Sequence, residues 1–248
     1  MRTYCDYRKV VLVTGGSKGI GYAIANKLSQ NGYELVLVAR DQKALESSCQ
    51  NFQTKCYCLS LDLVKENAVN ALIDFLNKNY LFPNIIVHNL GGRVENDLQP
   101  LTYSVLSSSI QYNLGVAVEI NNHFIPLMVR NKEGQILHIS SDSAIDGDGA
   151  PGYVAAKAAL NAYIRSTARF YGKNNICING IMPGAVEFKG SVWNLKKNSD
   201  MARYLEKKSE QPIGRFGTLD EVAQFAVSLL RNYNMLTNGQ VYCLNGGV

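Results

Sequence analysis

The sequence predicts an α/β fold with a doubly wound parallel sheet whose two faces are covered by helices. Short apolar runs rich in β-branched residues alternate with longer segments of helical period along the whole chain. This alternation is typical of a parallel sheet. A glycine-rich turn follows the first apolar run, at residues 14–21. No repeat, low-complexity tract or linker interrupts the pattern, so we expect a single domain over residues 1–248.

Seven segments are predicted as strands because they are short, mostly apolar and bounded by turn residues. They are Val10–Thr14, Glu34–Ala39, Lys55–Leu61, Asn84–His88, Gln135–Ser140, Ile176–Ile181 and Val241–Leu244. Ligands of such sheets bind at the carboxyl ends of the strands, where the strand order reverses. The functional residues are therefore expected at these ends.

Six segments between the strands have helical periodicity. In the first, Ile20, Ile24 and Leu28 stand at i, i+4 and i+8, and Gly32 ends the helix. The predicted helices are Gly19–Asn31, Lys43–Asn51, Glu66–Lys78, Tyr103–Met128, Tyr153–Tyr171 and Leu219–Leu230, the last capped by Thr218.

Composition and charge exclude several classes of protein. Of the 248 residues, 46% are hydrophobic and 18% charged, which argues against intrinsic disorder. The net charge of +5 is too small to indicate a nucleic-acid partner. No apolar run is long enough to span a bilayer, and residues 1–9 lack the apolar core of a signal peptide. We therefore expect a cytoplasmic protein without membrane contact.

The cysteine and histidine residues do not predict a metal site. The six cysteines are Cys5, Cys49, Cys56, Cys58, Cys177 and Cys243. Only Cys56 and Cys58 are close, and a single C-x-C pair is poor metal spacing. Without an export signal, we expect reduced and mostly buried thiols. His88, His123 and His138 lie far apart in the sequence, so no metal is expected.

The glycine-rich turn is Thr14-Gly15-Gly16-Ser17-Lys18-Gly19-Ile20-Gly21, and it joins the first strand to the first helix. Glycines allow a tight turn and let the backbone approach a pyrophosphate closely. The helix N-terminus then offers free N–H groups and a positive dipole end. This context predicts a dinucleotide site. Its expected contacts are Gly15, Ser17, Lys18, Gly19 and Ile20.

Tyr153 and Lys157 are four residues apart on a predicted helix, so they share one face. A phenol with a pKa of about 10 does not exchange protons readily at pH 7. A lysine ammonium ~4 Å away contributes about 4 kcal/mol at an effective dielectric of 20, roughly three pKa units, which makes tyrosine a usable general acid or base.

Ser141 lies at a strand end, where its hydroxyl can hold a substrate oxygen. Ser140 and Ser143 compete for this role, but Ser140 is expected on the opposite side of the strand.

The T-G-x-x-x-G-x-G spacing of the turn resembles the nucleotide-binding motif of the short-chain dehydrogenase/reductase family. Other segments similar to this family follow in the family's order: His88-Asn89-Leu90-Gly91, Asn113, Ile139-Ser140-Ser141, Tyr153 to Lys157, Pro183-Gly184, Asn238 to Val241 and Asn245-Gly246-Gly247. The resemblance covers nearly the whole chain, and its general pattern is closest to the 3-oxoacyl carrier-protein reductase branch. It implies a Rossmann fold and a homo-oligomer, typically a tetramer, with contacts through helices 103–128 and 153–171.

Arg40, at the end of the second predicted strand, indicates which nicotinamide cofactor binds. An acidic residue there would bind a ribose diol, whereas arginine suits bidentate binding of a 2′-phosphate. Lys18 could reach the same phosphate, and Asp41 is expected to point elsewhere. The Lys18–Arg40 pairing resembles the NADP(H)-preferring members; the alternative is two solvated surface charges. The resemblance further implies cofactor contacts at Asp62, Leu63, Asn89, Gly91, Tyr153, Lys157, Pro183, Gly184 and Val186.

The resemblance implies hydride transfer between NADP(H) and a carbonyl carbon. Tyr153 would protonate the developing alkoxide and Ser141 would stabilise it, while Lys157 would lower the Tyr153 pKa and bind the nicotinamide ribose. Asn113 resembles the family's helix asparagine, which orders a water that relays protons to the lysine. The alternative for Asn113 is a structural helix amide.

Two positions near the nicotinamide depart from the family. His88 stands where the family has asparagine, and Phe188 stands near a position that is often threonine. In the family this threonine contacts the nicotinamide carboxamide, so the sequence does not predict which residue makes that contact here.

Two segments are expected to shape the substrate site. Residues 142–149 are acidic and polar, a poor lining for a steroid or fatty chain. Lys189–Lys208 forms the centre of a predicted lid over residues 185–215, and it combines aromatic side chains with six basic ones and only two acidic ones. The basic residues are Lys189, Lys196, Lys197, Arg203, Lys207 and Lys208. Such a lid suits an anionic carrier, a nucleotide diphosphate or a phosphopantetheine, unless it is a mobile solvated helix face.

The sequence thus predicts an NADPH-dependent ketoreductase acting on a polar or carrier-linked substrate. A nucleotide-sugar or polyol ketone is the competing substrate class. From a different class of function, the chain could be a non-catalytic NADP(H)-binding sensor or scaffold. The intact set of Ser141, Tyr153 and Lys157 argues against that alternative, because a pure binding protein needs no tyrosine–lysine pair.

Overall fold

The computed structural model describes residues 9–248, with a seven-stranded sheet at their centre. Its strands are β1 (Val10–Thr14), β2 (Glu34–Ala39), β3 (Cys56–Ser60), β4 (Pro83–His88), β5 (Gly134–Ile139), β6 (Ile176–Pro183) and β7 (Val241–Leu244). All neighbouring strands are parallel, in the order β3-β2-β1-β4-β5-β6-β7. The predicted doubly wound parallel sheet is confirmed.

The strand order reverses between β1 and β4, which lie side by side. Thr14, the last residue of β1, is level with Val38 on β2 and with His88 on β4. A crevice opens at the carboxyl ends of the strands at such a reversal. Segments 15–18 and 89–102 leave the sheet at this point, so both border the crevice.

Helices cover both faces of the sheet. They are α1 (Gly19–Gln30), α2 (Gln42–Gln50), α3 (Ala68–Lys78), α4 (Tyr103–Ile110), α5 (Val116–Asn131), α6 (Ser143–Asp146), α7 (Pro151–Tyr171), α8 (Val192–Ser199), α9 (Met201–Ser209) and α10 (Leu219–Arg231). Successive β1 residues serve opposite faces. Leu12 belongs to the core with α3, α5 and α7 residues, whereas Val11 and Val13 belong to the core with α1 and α10 residues.

The helix predicted over Tyr103–Met128 is interrupted in the structure. A π-helical segment, Gln111–Gly115, separates α4 from α5, and α5 continues to Asn131. Single π-helical turns are frequent at functional sites. This one carries Asn113, whose side chain is buried.

Three helix starts differ from the prediction: α2 begins one residue earlier, at Gln42, and two others are shifted by two residues for local reasons. α3 begins at Ala68 rather than Glu66, because Asn67 has a left-handed φ of 59°. α7 begins at Pro151, two residues earlier than predicted, since proline lacks an N–H and suits the first position of a helix.

Cys49 and Cys56 form a disulfide that joins the end of α2 to the start of β3. This corrects the expectation of reduced thiols for these two residues. Packing of α2 against β3 brings the two cysteines together, and sequence spacing does not reveal it. Among the described free cysteines, Cys177 is buried and Cys243 is exposed. Cys5 lies outside the described residues.

Within residues 9–248, no group of three or more His, Cys, Asp or Glu side chains is placed to hold a metal ion. None of the helices in this range is both long and apolar enough to cross a membrane.

Candidate active site

One side chain holds the glycine-rich turn in place. Asn89 Nδ2 donates to the carbonyl oxygens of Thr14 at 3.2 Å and Gly15 at 3.0 Å. A Cβ atom on Gly21 would lie 2.4 Å from this nitrogen, so only glycine fits there. Gly15 and Gly19 have φ values of 65° and 58°, the left-handed region that favours glycine. Asn89 therefore contributes to the predicted cofactor site by shaping its backbone.

The N-terminus of α1 opens from this turn. Lys18 is the N-cap residue, and no side chain in residues 9–248 caps the first amides of the helix. These amides and the positive end of the helix dipole suit an anion. Together with the glycine backbone, and with the half-buried Ser17 and Ile20 beside it, they fit the pyrophosphate of a dinucleotide.

Residues after β2 and β3 lie at the predicted adenosine end. Arg40 is exposed directly after β2. The Asp41 carboxylate accepts a hydrogen bond from the Ala44 N–H at 3.0 Å as the cap of α2, so it points elsewhere, as the sequence predicts. Asp62 follows β3 and is half-buried. The Leu63 side chain packs in the core, which leaves its main chain for a cofactor contact.

The end of β5 and the start of α7 bring Ser141, Tyr153 and Lys157 together. Lys157 Nζ lies 5.7 Å from the centroid of the Tyr153 ring. It donates to the carbonyl of Ile139, the last residue of β5, at 2.7 Å. The Ser141 hydroxyl is near enough to the Tyr153 phenol to act against the rise in its pKa. The predicted serine, tyrosine and lysine therefore share one site at the carboxyl end of the sheet.

The two competing serines occupy different places. Ser140 Oγ contacts the Lys157 carbonyl at 3.5 Å, on the α7 side of the strand end. Ser143 Oγ lies 3.1 Å from Ser141 Oγ, so it borders the same site. Ser141 stays the predicted substrate-binding hydroxyl.

Burial dominates the electrostatics of the tyrosine–lysine pair. It raises the pKa of the Tyr153 phenol; a hydrogen bond with Ser141 opposes this rise, and the Asp142 carboxylate adds to it. Burial also lowers the pKa of Lys157 to about 8. Lys157 is not among these influences on the Tyr153 pKa, so the lowering of that pKa by Lys157 stays a prediction. The phenol is protonated and suited to act as an acid.

The Asn113 amide connects the π-helical segment to the loop after β4. Its Oδ1 accepts from the Gly92 N–H at 2.8 Å, and its Nδ2 donates to the carbonyls of Gly92 at 2.9 Å and Ser109 at 3.0 Å. A Cβ atom on Gly91 would lie 2.7 Å from Asn113 Oδ1 and 3.0 Å from Lys157 Nζ. Asn113 therefore holds the loop after β4 against the π-helical segment, beside Lys157. Its part in a proton relay stays a prediction.

The segment after β6 lies at the predicted nicotinamide end. Pro183 ends the strand, the Gly184 N–H donates to the Leu244 carbonyl at 3.0 Å, and Val186 is buried. The Phe188 ring lies over the glycine-rich turn, 3.0 Å from where a Cβ of Gly19 would be. The position that the family often fills with threonine thus carries an aromatic ring against the turn.

Asp142 places a carboxyl group beside Ser141. Its Oδ1 lies 3.3 Å from Ser141 Oγ and accepts from the Ser143 N–H at 2.9 Å. Its Oδ2 lies 2.9 Å from the Cβ position of Gly184. Burial, and secondarily Asp146, raises the pKa of Asp142. The site therefore has a half-buried polar wall where a substrate carbonyl would approach Ser141.

Ion pairs neutralise most of the basic side chains of the predicted lid, and whether the lid binds an anionic carrier stays a prediction. Its acidic partners come from outside the segment as well as from within. The pairs are Lys196–Asp200, Lys197–Glu187, Arg203–Glu206, Lys207–Asp148 and Lys207–Glu210. Of the six basic residues, Lys189 and Lys208 form no salt bridge within the described part of the chain.

The aromatic side chains of the lid face the protein. Trp193 stacks on Phe216 with centroids 5.4 Å apart, and Tyr204 meets the same ring edge-on at 5.2 Å. Tyr204 is buried, and its hydroxyl donates to Glu187 at 2.9 Å. These contacts anchor the lid to the domain.

Sequence reasoning missed two buried groups near the site. His88 and His138 stack with centroids 4.7 Å apart and line a small internal cavity with Asn113. The register of β4 with β5 aligns them, and their positions near two predicted strand ends were the available signal. The other group is Asp97, which lies in the irregular segment between β4 and α4; no sequence pattern marked it.

Comparison with known proteins gives consistent results. The family model described as "Enoyl-(Acyl carrier protein) reductase" matches residues 15–248. The 3-oxoacyl-[acyl-carrier-protein] reductase of Chlamydia muridarum is 29% identical, with 97% of each chain covered. A reductase of the same name from Bos taurus is also 29% identical, over 97% of this chain and 98% of its own.

Solved structures agree with the sequence comparison. The L-sorbose reductase of Gluconobacter frateurii, in complex with NADPH and L-sorbose, has a TM-score of 0.86 and 26% identity over 96% of this chain and 95% of its own. A 3-oxoacyl (acyl-carrier-protein) reductase from Agrobacterium tumefaciens with NADP bound has a TM-score of 0.85 and 26% identity, over 97% of this chain and 94% of its own.

Proposed function

Because the chain belongs to the short-chain dehydrogenase/reductase family, we propose that it is an NADP(H)-dependent ketoreductase that interconverts a carbonyl and a secondary alcohol. One observation carries the proposal. Ser141, Tyr153 and Lys157 meet at the carboxyl end of the sheet, next to the crevice bordered by the glycine-rich turn. A protonated phenol beside a serine hydroxyl suits the reduction of a ketone.

The cofactor proposal rests on the two ends of the crevice. The cradle over residues 15–21 fits a pyrophosphate, and the exposed Arg40 suits a 2′-phosphate. Two similar structures contain NADPH or NADP. Lys157, beside Gly91, would hold the nicotinamide ribose, and Pro183 to Val186 would border the ring. When bound, the reduced nicotinamide supplies the hydride.

The protein residues would manage the proton. The Tyr153 hydroxyl donates its proton to the carbonyl oxygen as that oxygen gains negative charge, and Ser141 Oγ donates a hydrogen bond to the same oxygen. Lys157, protonated at pH 7 with a pKa of about 8, stabilises the phenolate that this transfer leaves behind.

The substrate we favour is a polar, hydroxylated ketone. Asp142 lies beside Ser141, and the carboxylates of Asp146 and Asp148 follow on the same loop. Such a wall accepts hydrogen bonds from substrate hydroxyls and is costly to cover with a fatty chain. The likeness to an L-sorbose reductase supports the same class.

A carrier-linked 3-oxoacyl substrate is the second candidate. It is supported by the likeness to 3-oxoacyl-[acyl-carrier-protein] reductases. Lys189 and Lys208, which lie outside the ion pairs described for the lid, would provide positive charge for an acidic carrier. With either substrate class, residues 185–215 would act as the lid over the substrate site, and the chain would form a single domain.

A homo-oligomer in the cytoplasm stays part of the proposal. The groove between α5 and α7 is lined by Ile125, Tyr163 and Phe170, and the Phe170 ring is 67% exposed. A second copy could cover it. Sedimentation analysis of the purified chain tests this, and a monomer at micromolar concentration would contradict it.

The proposed function is tested by NADPH oxidation with a panel of ketones, with hydroxylated sugar ketones and 3-oxoacyl thioesters side by side. We expect turnover with the hydroxylated ketones. Tyr153→Phe should lower kcat by about 10²–10⁴-fold and leave the NADPH dissociation constant within twofold. Binding of NADPH without turnover of any ketone would favour the sensor or scaffold alternative instead.

A further inference from the structure

The first turn of α7 lacks a cap of its own. Ala150, the N-cap residue, gives no side-chain hydrogen bond, and Pro151 has no N–H. The first intrahelical hydrogen bond comes from the Val154 N–H to the Ala150 carbonyl. The N–H groups of Gly152 and Tyr153 are therefore the ones that need partners outside the helix.

A single carboxylate supplies both partners. Asp97 Oδ1 accepts from the Gly152 N–H at 2.7 Å, and Asp97 Oδ2 accepts from the Tyr153 N–H at 2.9 Å. Asp97 is fully buried and reaches the helix from the segment between β4 and α4, 55 positions earlier than Gly152. A carboxylate at this end also interacts favourably with the helix dipole.

The surroundings hold the carboxylate in place. Ser109 Oγ donates to Asp97 Oδ2 at 3.5 Å, and Arg93 Nη2 donates to the Asp97 main-chain carbonyl at 3.0 Å. A Cβ atom on Gly152 would lie 2.9 Å from Asp97 Oδ1 and 2.8 Å from Ser109 Oγ. The glycine is thus needed for the close approach of helix and carboxylate.

We propose that Asp97 is a positioning residue that fixes the start of α7 and thereby aims the Tyr153 hydroxyl at the substrate oxygen. It binds the main chain of Tyr153 itself, so any shift of this contact moves the phenol. Lys157 is one turn further along and is tied to Ile139, so it is held independently. The inference rests on the proposed function, because it assigns Tyr153 its role in proton donation.

The test compares Asp97→Ala, Asp97→Asn and Gly152→Ala with the wild type and with Thr218→Ala. Thr218 caps α10 through the Glu221 N–H at 3.3 Å, and its loss is a matched control for the loss of a helix cap. We measure kcat and KM for the best ketone of the panel, the NADPH dissociation constant, the melting temperature, and hydrogen–deuterium exchange of the peptide covering residues 150–158.

We expect Asp97→Ala to lower kcat by about 100-fold, the size expected for a misplacement of roughly 1 Å, and to change KM and NADPH binding less than threefold. Asp97→Asn keeps one acceptor, so its kcat should lie between those of the wild type and Asp97→Ala. Gly152→Ala should also lower kcat. Thr218→Ala should lower the melting temperature and keep kcat within twofold. If Asp97→Ala does not fold, Asp97→Asn and Gly152→Ala decide.

The proposal would be overturned if Asp97→Ala folds and keeps the wild-type kcat. If Asp97→Ala does not fold, wild-type kcat in both Asp97→Asn and Gly152→Ala would overturn it. So would a kcat loss in Thr218→Ala equal to that of the Asp97 variants, because the effect would then be one of stability alone. Failure of the proposed function is distinguishable: the wild type would reduce no ketone. In that case hydrogen–deuterium exchange of the 150–158 peptide still tests whether Asp97 fixes the start of α7. Unchanged amide protection in the Asp97 variants would show that it does not.

Discussion

Tyr153 and Lys157 show how one buried environment shifts two titrating groups in opposite directions. Burial favours the neutral form of each, so the pKa of the phenol rises while that of the ammonium falls to about 8. The spacing of four residues predicts that the two share a face. It does not predict that the Ile139 carbonyl binds the ammonium or that both groups are buried.

These directions predict the pH dependence of ketone reduction. Tyr153 keeps its proton beyond pH 10, because its pKa is raised from 10.0. Lys157 loses its proton as the pH rises through about 8. We therefore expect kcat/KM for the ketone, at saturating NADPH, to fall above pH 8 because of the lysine alone.

The measurement is a pH–rate profile from pH 6 to 10, with buffer controls for enzyme stability. A flat profile between pH 7 and 10 would show that the lysine charge is not needed.

Arg40 is the single side chain that we expect to decide the cofactor preference. Replacing it with alanine removes charge-assisted hydrogen bonds to a 2′-phosphate, each of which contributes about 1.5–3 kcal/mol. Arg40→Ala should therefore raise the NADPH dissociation constant roughly 10–100-fold and leave that of NADH unchanged.

Lys43→Ala is the matched control, since Lys43 is a nearby exposed cation with no predicted cofactor contact. Titration of intrinsic and NADPH fluorescence gives the constants. Tighter binding of NADH than of NADPH by the wild type would rule out the assignment.

At the scale of elements, an ion pair connects the predicted lid to the acidic segment over residues 142–149. α9 is joined to the loop before α7 by the Lys207–Asp148 ion pair, at 2.6 Å. In the sequence the lid has a surplus of positive charge, because a linear charge pattern does not show partners from other segments. The pairing joins α9 to the loop after α6, and both segments are predicted to border the substrate.

Asp148→Asn should loosen this connection. A partly exposed ion pair contributes at most about 1 kcal/mol, so exchange of α9 amides should rise by up to about fivefold, and KM for the ketone should rise by no more. Glu206→Gln is the control, since it removes the Arg203–Glu206 pair, which lies within α9.

Hydrogen–deuterium exchange followed by mass spectrometry reports on residues 201–209. Equal protection in wild type and Asp148→Asn would contradict a link between loop and lid.

At the scale of the whole molecule, apolar side chains fill the two faces of the sheet, and the stacked His88–His138 pair is among the polar groups buried with them. Burial lowers the pKa of His88 to about 4 and that of His138 well below 6.5. Both stay neutral in the folded protein while the unfolded chain takes up protons below about pH 6.5. Folding is therefore destabilised as the pH falls from 6.5 towards 4.

We expect the free energy of unfolding to be lower at pH 5 than at pH 7 by about 2 kcal/mol from His88 alone. His88→Asn should remove this part of the pH dependence, whereas His123→Asn, at a half-buried helix position, should not. Urea unfolding at the two pH values gives the comparison. A wild-type pH dependence in His88→Asn would contradict the prediction.

The sequence by itself determined the architecture and most of the candidate site. Strand and helix periods are local properties, so the parallel sheet followed from them. Glycine-rich turns and the Tyr153–Lys157 spacing are also local, and helical geometry turns the latter into a shared face.

Only the tertiary structure decided which groups are desolvated and which charges are paired. The Cys49–Cys56 disulfide, the stacked His88–His138 pair, the neutralised lid and the cap that Asp97 provides for α7 each join segments from different parts of the chain. Burial and pairing depend on distances through space, and these distances exist only once the strands have taken their order in the sheet.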